Sequence, residues 1–393
     1  MRRRPPALAV TFVFAHAVVV QVIAFAMRPT LSYAVLDADA SPALLGALSA
    51  AFAIPALILA LPAGHAIDRV GERSALLVGA VFLIGAAILA SASRHSLWML
   101  FVATALLGIG HLLSVIGEQA LVANTISRGT SDSRFGYYTF ATAIGQTLGP
   151  LLLALPGAAT ATPPVRTIFT ICMWAGCLLL VISFLVQSTP RMHDEPRVGI
   201  LTAARTLLRI PGLVRALLAS SMVLSSVDLF LAYTPALGHD RSLAAATVSA
   251  MLVARSLFSM FSRLFLGRMV TLVGRRALMV SMIVVSAISL TTFALPLSDP
   301  WLLVVSSVFG FAVGTCQPIT MSWISDLAPR GTRGLAMSLR LASNRLGQTL
   351  LPGALGAFAA VAGAAGVLVT TGITLFGAAW SGAAIGATPN SEK

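Results

Sequence analysis

Charge is what this sequence lacks most. Only 10% of its 393 residues are Asp, Glu, Lys or Arg, against about 25% in an average soluble chain. So few charges cannot cover a water-facing surface, which excludes a soluble enzyme, a disordered chain and a coiled coil. Lysine is nearly absent: of 26 basic residues only Lys393 is a lysine, which reads as base-composition bias and not as function. The 13 acidic residues leave a formal net charge of +13. A basic balance can mark nucleic-acid binding, but these arginines sit in short loops between apolar runs, so no nucleic-acid partner is expected. Cysteine is scarce too. Cys172, Cys177 and Cys316 all lie in apolar runs with no C-x-x-C pair, so neither a disulfide framework nor a metal site is expected. A nucleotide-binding loop, a nucleophile triad and a separate soluble domain are also missing, which argues against a membrane enzyme or a receptor.

What is present is apolar length. Hydrophobic residues make up 57% of the chain, and the mean hydropathy is +0.91. A bilayer core about 30 Å thick needs about 20 apolar residues per helix. Twelve runs qualify: 7–36, 42–66, 74–93, 97–125, 134–157, 165–187, 213–237, 243–268, 276–296, 300–325, 334–360 and 363–386. Backbone groups in lipid must pair within their own segment, so these runs are expected as helices and the fold class as an all-α membrane protein. Arg2, Arg3 and Arg4 before the first run imitate a signal peptide. Cleavage is not expected, because that run is longer than a signal core and many spans follow it.

Arginine placement orients the chain. Loops on the side of the N-terminus hold Arg69, Arg73, Arg128, Arg134, Arg268, Arg275, Arg276, Arg330 and Arg333; the opposite loops hold Arg94, Arg166 and Arg241. The positive-inside rule then puts both termini in the cytosol. Trp98 and Trp301 open their runs on the outer side, where interfacial anchors belong. The one sizeable polar stretch, residues 188–212, divides the runs six and six. The expected organisation is a bundle at 1–187, a cytoplasmic linker at 188–212, part of it an amphipathic interfacial helix, and a second bundle at 213–393.

The halves repeat. Gly145-Gln146-Thr147-Leu148-Gly149-Pro150 returns as Gly347-Gln348-Thr349-Leu350-Leu351-Pro352, and Arg128-Gly129-Thr130 as Arg330-Gly331-Thr332, both offset by 202 residues. Gly108 matches Gly310 at the same offset. Parallel repeats of six helices place a solute site at the midplane between them.

Two motifs bear on function. Between the second and third runs stands Gly64-His65-Ala66-Ile67-Asp68-Arg69-Val70-Gly71-Glu72-Arg73. Gly64 permits close helix approach, Gly71 a tight turn, and Asp68 an acidic contact at the membrane edge. A degenerate copy offset by 203 residues has Gly267, Gly274 and Arg276, with Thr271 in place of the acid. In the fifth run, Gly136, Gly145, Gly149 and Pro150 are spaced for close helix packing and a bend. The first segment resembles the loop signature G-x-x-x-D-R-x-G-x-R of the major facilitator superfamily, and the resemblance covers the whole chain. It implies twelve spans in two pseudo-symmetric six-helix bundles, a monomer, no cofactor, and energy from a proton gradient. The glycine pattern of the fifth run is similar to the antiporter motif of that family's drug/proton exporters, although Leu153-Ala154 stands where a further Gly-Gly is usual. Thr104 stands where such exporters carry an arginine. The chain thus looks like a bacterial twelve-span subgroup of the family.

Ionisable residues inside spans cost about 3 kcal/mol or more, so each is a functional candidate. They are His16, Arg28, His111, Glu118, Asp228, Arg255, Arg340 and Arg345. Thr104, His111 and Glu118, spaced by seven, share a helix face that the resemblance turns toward the cavity. Glu118 has two readings: an ion pair with a loop arginine such as Arg134, or a proton acceptor. Arg255 and Arg345, the latter beside Asn344 and Gln348, sit midway through their runs and favour an anion. Arg28 and Asp228 both fall in the outer half of the membrane, on runs one and seven. They are expected to form a pair that closes the outer side, the alternative being a permanent pair of Asp228 with Arg255. The resulting expectation is a secondary active transporter of the inner membrane of a bacterium, exporting a small organic solute, anionic in class on the arginine reading, against protons. Its partners are the solute, protons and the lipid bilayer. Uptake by symport or facilitated diffusion is the alternative.

Overall fold

A computed structural model describes residues 6–38, 41, 43–93, 96–124, 131–155, 163–186, 205–327 and 333–383. Among these residues the chain is helical throughout, as α1 (Pro6–Leu36), α2 (Ala43–Val70), α3 (Glu72–Ala92), α4 (Leu97–Asn124), α5 (Ser131–Leu151), α6 (Val165–Leu185), α7 (Leu213–Asp240), α8 (Ala245–Val273), α9 (Arg275–Thr292) and α10 (Asp299–Leu327). The last stretch, Arg333–Ala383, is broken at Gly363, whose φ of 65° is foreign to a helix. It divides into α11, residues 333–362, and α12, residues 364–383.

Nine of these helices, among the described residues, are long and apolar enough to cross a membrane. The ones that fall short are α2, α5 and α11. Only residues 44–60 of α2 form an apolar stretch, and Pro55 and Pro62 interrupt the helix. Polar side chains interrupt the others, among them Thr142, Gln146 and Thr147 in α5 and Arg340, Asn344 and Arg345 in α11. These three helices lie where the two halves meet, so much of their surface packs on protein and not on lipid, and a polar side chain there meets a partner.

Helices α1–α6 pack among themselves, as do α7–α12, and the two bundles meet through α1 against α7, α2 against α11, and α5 against α8. Packing within each bundle obeys the sequence repeat. Gly108 of α4 lies so close to α2 that a Cβ would stand 2.0 Å from the Phe52 carbonyl oxygen; Gly310 of α10 meets the Arg255 carbonyl of α8 at 2.1 Å in the same way. Phe52 and Arg255 are therefore equivalent positions, 203 residues apart. The interhelical turns repeat as well. Gly71 (φ 91°) and Gly274 (φ 84°), also 203 apart, each open the following helix in a conformation that glycine adopts freely.

With α1 starting on what we term the near side, the short loops send each helix back across the layer. Closure at the opposite, far side is tight. Ser249, at the far end of α8, donates its hydroxyl to the Pro150 carbonyl of α5 at 2.7 Å. Its repeat equivalent, Gly46 of α2, abuts α11 so closely that a Cβ would stand 2.3 Å from the Pro352 carbonyl oxygen. The repeated Gly-Gln-Thr-Leu-x-Pro segment thus supplies one proline carbonyl to each half of the far seam. On the near side α4 and α10 share no packed interface among the described residues.

Residues 188–204 of the expected linker lie outside the described residues; α7 begins directly after Gly212. Trp98 and Trp301 are exposed at helix starts, as interfacial anchors would be. Cys172 and Cys316 are buried free thiols, and Cys177 is half-buried.

Candidate functional site

Arg28 of α1 and Asp228 of α7 form an ion pair across the bundle interface, Nη1 donating to Oδ1 at 2.5 Å. Their side chains are 9% and 6% exposed. Removing one partner of such a buried pair costs roughly 3–5 kcal/mol, because a lone charge stays behind. The 202-residue repeat offset carries Arg28 to position 230, two residues from Asp228; Tyr33 and Tyr233 stand one to two turns further along the same two helices. Both tyrosines are buried on the far side of the pair. Tyr33 lies beside Gly238 of α7, and Tyr233 lies against the Gly46 backbone of α2. Each helix thus reaches into the opposite bundle.

Further arginines gather around this pair. The Arg28 guanidinium stands 4.6 Å above the Phe52 ring, which also receives Arg345 at 5.8 Å and packs against His111 at 5.7 Å. Arg255 is buried, stacks over Phe25 at 5.6 Å and donates to Ser256 Oγ at 2.5 Å. Both Arg255 and Arg345 lie within electrostatic range of Asp228 and Arg28. Asp228 pairs with Arg28 and not with Arg255. Three guanidinium groups therefore lie near one carboxylate, and among the described residues Arg28 alone is bonded to it.

Polar groups complete the lining. Arg345 Nη1 donates to Gln348 Oε1 at 3.1 Å. Asn344 Oδ1 accepts from Ser220, which also accepts from Arg340 Nε. On the facing bundle Gln21 Nε2 meets His111 Nε2 at 3.3 Å. His111 Nδ1 and Gln21 Oε1 are buried without a hydrogen-bond partner, which leaves a donor or acceptor for a water or a solute.

The structure corrects the reading of the Thr104, His111 and Glu118 face. His111 reaches the interface, but Glu118 is wholly buried inside the first bundle, and its partner is neither solute nor loop. Its Oε1 lies 2.6 Å from His16 Nδ1, and its Oε2 accepts from Tyr138 at 2.9 Å. Thr104 bonds the Leu100 carbonyl of its own helix. His111 and Glu118 differ in depth along α4, and at the level of residue 118 the neighbours are His16 of α1 and Tyr138 of α5.

Of the loop motif, Gly71 forms the turn described above and Arg73 stacks over Phe184 at 5.7 Å. The side chains of Asp68 and Arg69 and the surroundings of Gly64 and Gly136 lie outside the described residues. Gly145 and Gly149 let α5 close on α1, a Cβ at either standing within 3 Å of α1 backbone oxygens.

Two participants escaped the sequence reading. Phe52 carried no charge to draw attention, although the 203-residue offset from Arg255 was legible. Arg263 lies inside α8 and links the bundles on the near side, donating to the Thr139 carbonyl of α5 at 3.0 Å and to Gln317 at 3.2 Å.

Two repeated six-helix units meeting at a charged midplane define a membrane carrier. Among the described residues no group of side chains is placed to hold a metal ion. The family model for the Major Facilitator Superfamily matches residues 12–243 and again 216–392. The chain belongs to that superfamily, and it is a transporter and not an enzyme. None of the curated proteins matches it significantly. Among solved structures it is similar to a POT family transporter in complex with 5-aminolevulinic acid (TM-score 0.77, 14% identity, 94% of each chain covered). It is also similar to a D-xylose-proton symporter (0.73, 15%, 95% of each chain). A third match is the human organic anion transporter MFSD10 (0.69, 16%, 97% of this chain and all of that one). At such identities the likeness is one of fold.

Proposed function

We propose that this protein exports a small organic anion in exchange for protons across the inner membrane of a bacterium. Both termini face the cytosol in this reading, which the arginine count supports, so the near side is cytosolic and the far-closed arrangement is the inward-facing state. The observation that carries the proposal is the cluster of Arg28, Arg255 and Arg345 around Asp228 alone. Excess positive charge at the midplane is costly unless an anion joins it. Guanidinium pairs suit carboxylate, phosphate or sulfonate groups.

The same geometry supplies a coupling. A solute carboxylate or phosphate competes with Asp228 for the arginines. Once Asp228 leaves Arg28, an unpaired carboxylate in the membrane is expensive, and taking up a proton relieves that cost. Anion and proton then bind together, which is the coupling of symport and favours the uptake alternative, whereas exchange requires the proton to leave Asp228 as the anion binds. The glycine pattern of α5 supports export. The MFSD10 fold match, an organic anion transporter, agrees with the anion class. The alternative is proton-driven uptake by symport; one similar solved structure is a D-xylose-proton symporter.

A thermal-shift panel of mono- and dicarboxylates, phosphate esters, sulfonates, amines and neutral sugars on the purified protein tests the substrate class, because ligands of the native state raise the melting temperature. Flux of the best anion into everted membrane vesicles, with and without uncoupler, tests coupling and direction. Stabilisation by amines or sugars alone overturns the anion reading. Flux indifferent to uncoupler overturns the proton coupling, and stronger accumulation in overexpressing cells reverses the direction.

A further inference from the structure

The first bundle contains a second set of ionisable groups, away from the arginine cluster. His16 of α1 and Glu118 of α4 are fully buried and 2.6 Å apart. Tyr138 of α5 donates to the other carboxylate oxygen at 2.9 Å, and His16 Nε2 lies 3.0 Å from Ser183 Oγ of α6.

Hydrogen accounting assigns the protons. The Ser183 hydroxyl hydrogen is committed to the Leu179 carbonyl at 2.8 Å, so Ser183 accepts from His16 and Nε2 carries a hydrogen. His16 Nδ1 then faces Glu118 Oε1. Two lone pairs at that distance would repel, so one proton lies between them, on either atom. With that proton the pair has no net charge. Without it, a carboxylate would face a lone pair in a site closed to water, and a second added proton would leave a buried cation. Either change is prohibitive while the four helices stay packed.

Among the described side chains the surroundings offer no compensating charge at contact distance. From α3, Glu72 sends its carbonyl oxygen toward Gly117, and Arg73 lies over Phe184. From α4, His111 lies two turns away and bonds Gln21, while Gln119 bonds Tyr138. From α5 only Tyr138 is placed on the pair among the described side chains, and from α6 only Ser183.

The helices that hold the proton divide by what they touch. Helices α1 and α5 form the bundle seam, carrying Arg28 and the Pro150 carbonyl. Helices α4 and α6 pack within their own bundle. Opening the far seam moves α1 and α5, and with them His16 and Tyr138, against Glu118.

We propose that the His16–Glu118 pair is a proton site of the transport cycle, distinct from the solute site, whose proton exchanges only when the far seam opens. The proposal rests on the proton-coupled reading above. The step is one of proton transfer only: the Nδ1···H···Oε1 bridge breaks, the proton leaves to water on one side, and another re-forms the bridge on closure.

Dicyclohexylcarbodiimide, which reacts with protonated carboxyl groups in apolar surroundings, is the probe. The purified full-length protein is labelled, and adduct on the Glu118 peptide is read by mass spectrometry, with Glu118→Gln as the blank. Ser249→Cys, labelled by a maleimide, reports opening of the far seam. Two variants open it by different routes: Asp228→Asn removes the charge pair, and Gly46→Val fills the contact with Pro352. We expect each to raise Glu118 labelling about tenfold or more, the factor produced by about 1.4 kcal/mol of lost closure. Seam opening with unchanged Glu118 labelling makes the pair a static packing element and overturns the proposal. Opening by Gly46→Val but not by Asp228→Asn sinks the charge gate, and Glu118 labelling in Gly46→Val then decides this proposal by the same criterion. If neither opens the seam, the required motion does not occur and the proposal falls.

Discussion

Ser249 donates its hydroxyl to the carbonyl of Pro150, joining the far ends of α8 and α5 across the two bundles at 2.7 Å. Its counterpart in the other half is a bare backbone contact between Gly46 and Pro352. One seam, built twice, uses a hydroxyl on one copy and the lack of any side chain on the other.

That difference makes the two positions unequal to mutation. A Cβ at Gly46 would stand 2.3 Å from the Pro352 oxygen and 2.5 Å from Gly356 Cα, both backbone atoms that cannot swing aside. Gly46→Ala should therefore hold the far side open and block cycling. Ser249→Ala loses a single hydrogen bond, about 1 kcal/mol, and should keep most transport. Equal maleimide accessibility at far-seam cysteines in the two variants would contradict this.

Reversing the charges of Arg28 and Asp228 tests whether the pair works as a pair. Either Arg28→Asp or Asp228→Arg leaves two like charges buried together, and transport should disappear with a lowered melting temperature. The double variant restores an opposite pair between the same two facing helices, so part of the transport should return. Absence of any rescue, with wild-type labelling of the far seam, would remove the pair from the gate.

The arginines around Asp228 should divide by role. Arg345 already engages Gln348 and stacks on Phe52, so Arg345→Lys keeps the charge but loses the planar fork. A loss of about tenfold or more in apparent affinity for the stabilising anion, with little change in melting temperature of the free protein, is the expected result. Arg255→Gln should lower affinity as well, and also stability, since its stem and guanidinium fill the space between Phe25 and Ser256. Unchanged thermal shifts by anions in both variants would exclude the cluster as the solute site.

Asp68 is the working acid of the near-side loop motif in our reading, because Thr271 occupies the matching place in the second half and is exposed. Asp68→Asn should keep expression and lose most transport, with cysteine labelling of the near side of the cavity increased. Labelling that stays at the wild-type level would deny Asp68 a part in gating.

The sequence by itself determined the helices, their division into two halves and the register of the repeat. Hydropathy reports the solvent of each segment, and an identical offset at Arg128 and Gly145 reports a duplicated fold. It also brought Arg28 and Asp228 to opposing helices at similar depth, since depth follows from rise per residue. The tertiary structure alone decided azimuth and partner. Glu118, on a shared helical stripe with His111, was turned away from the interface into the first bundle, where His16, over a hundred residues distant, supplies the matching hydrogen bond. Phe52 became the floor beneath two arginines because Gly108 lets α4 approach its backbone. A side chain's partner depends on how neighbouring helices rotate and how closely they approach, and small residues far away in the chain set both.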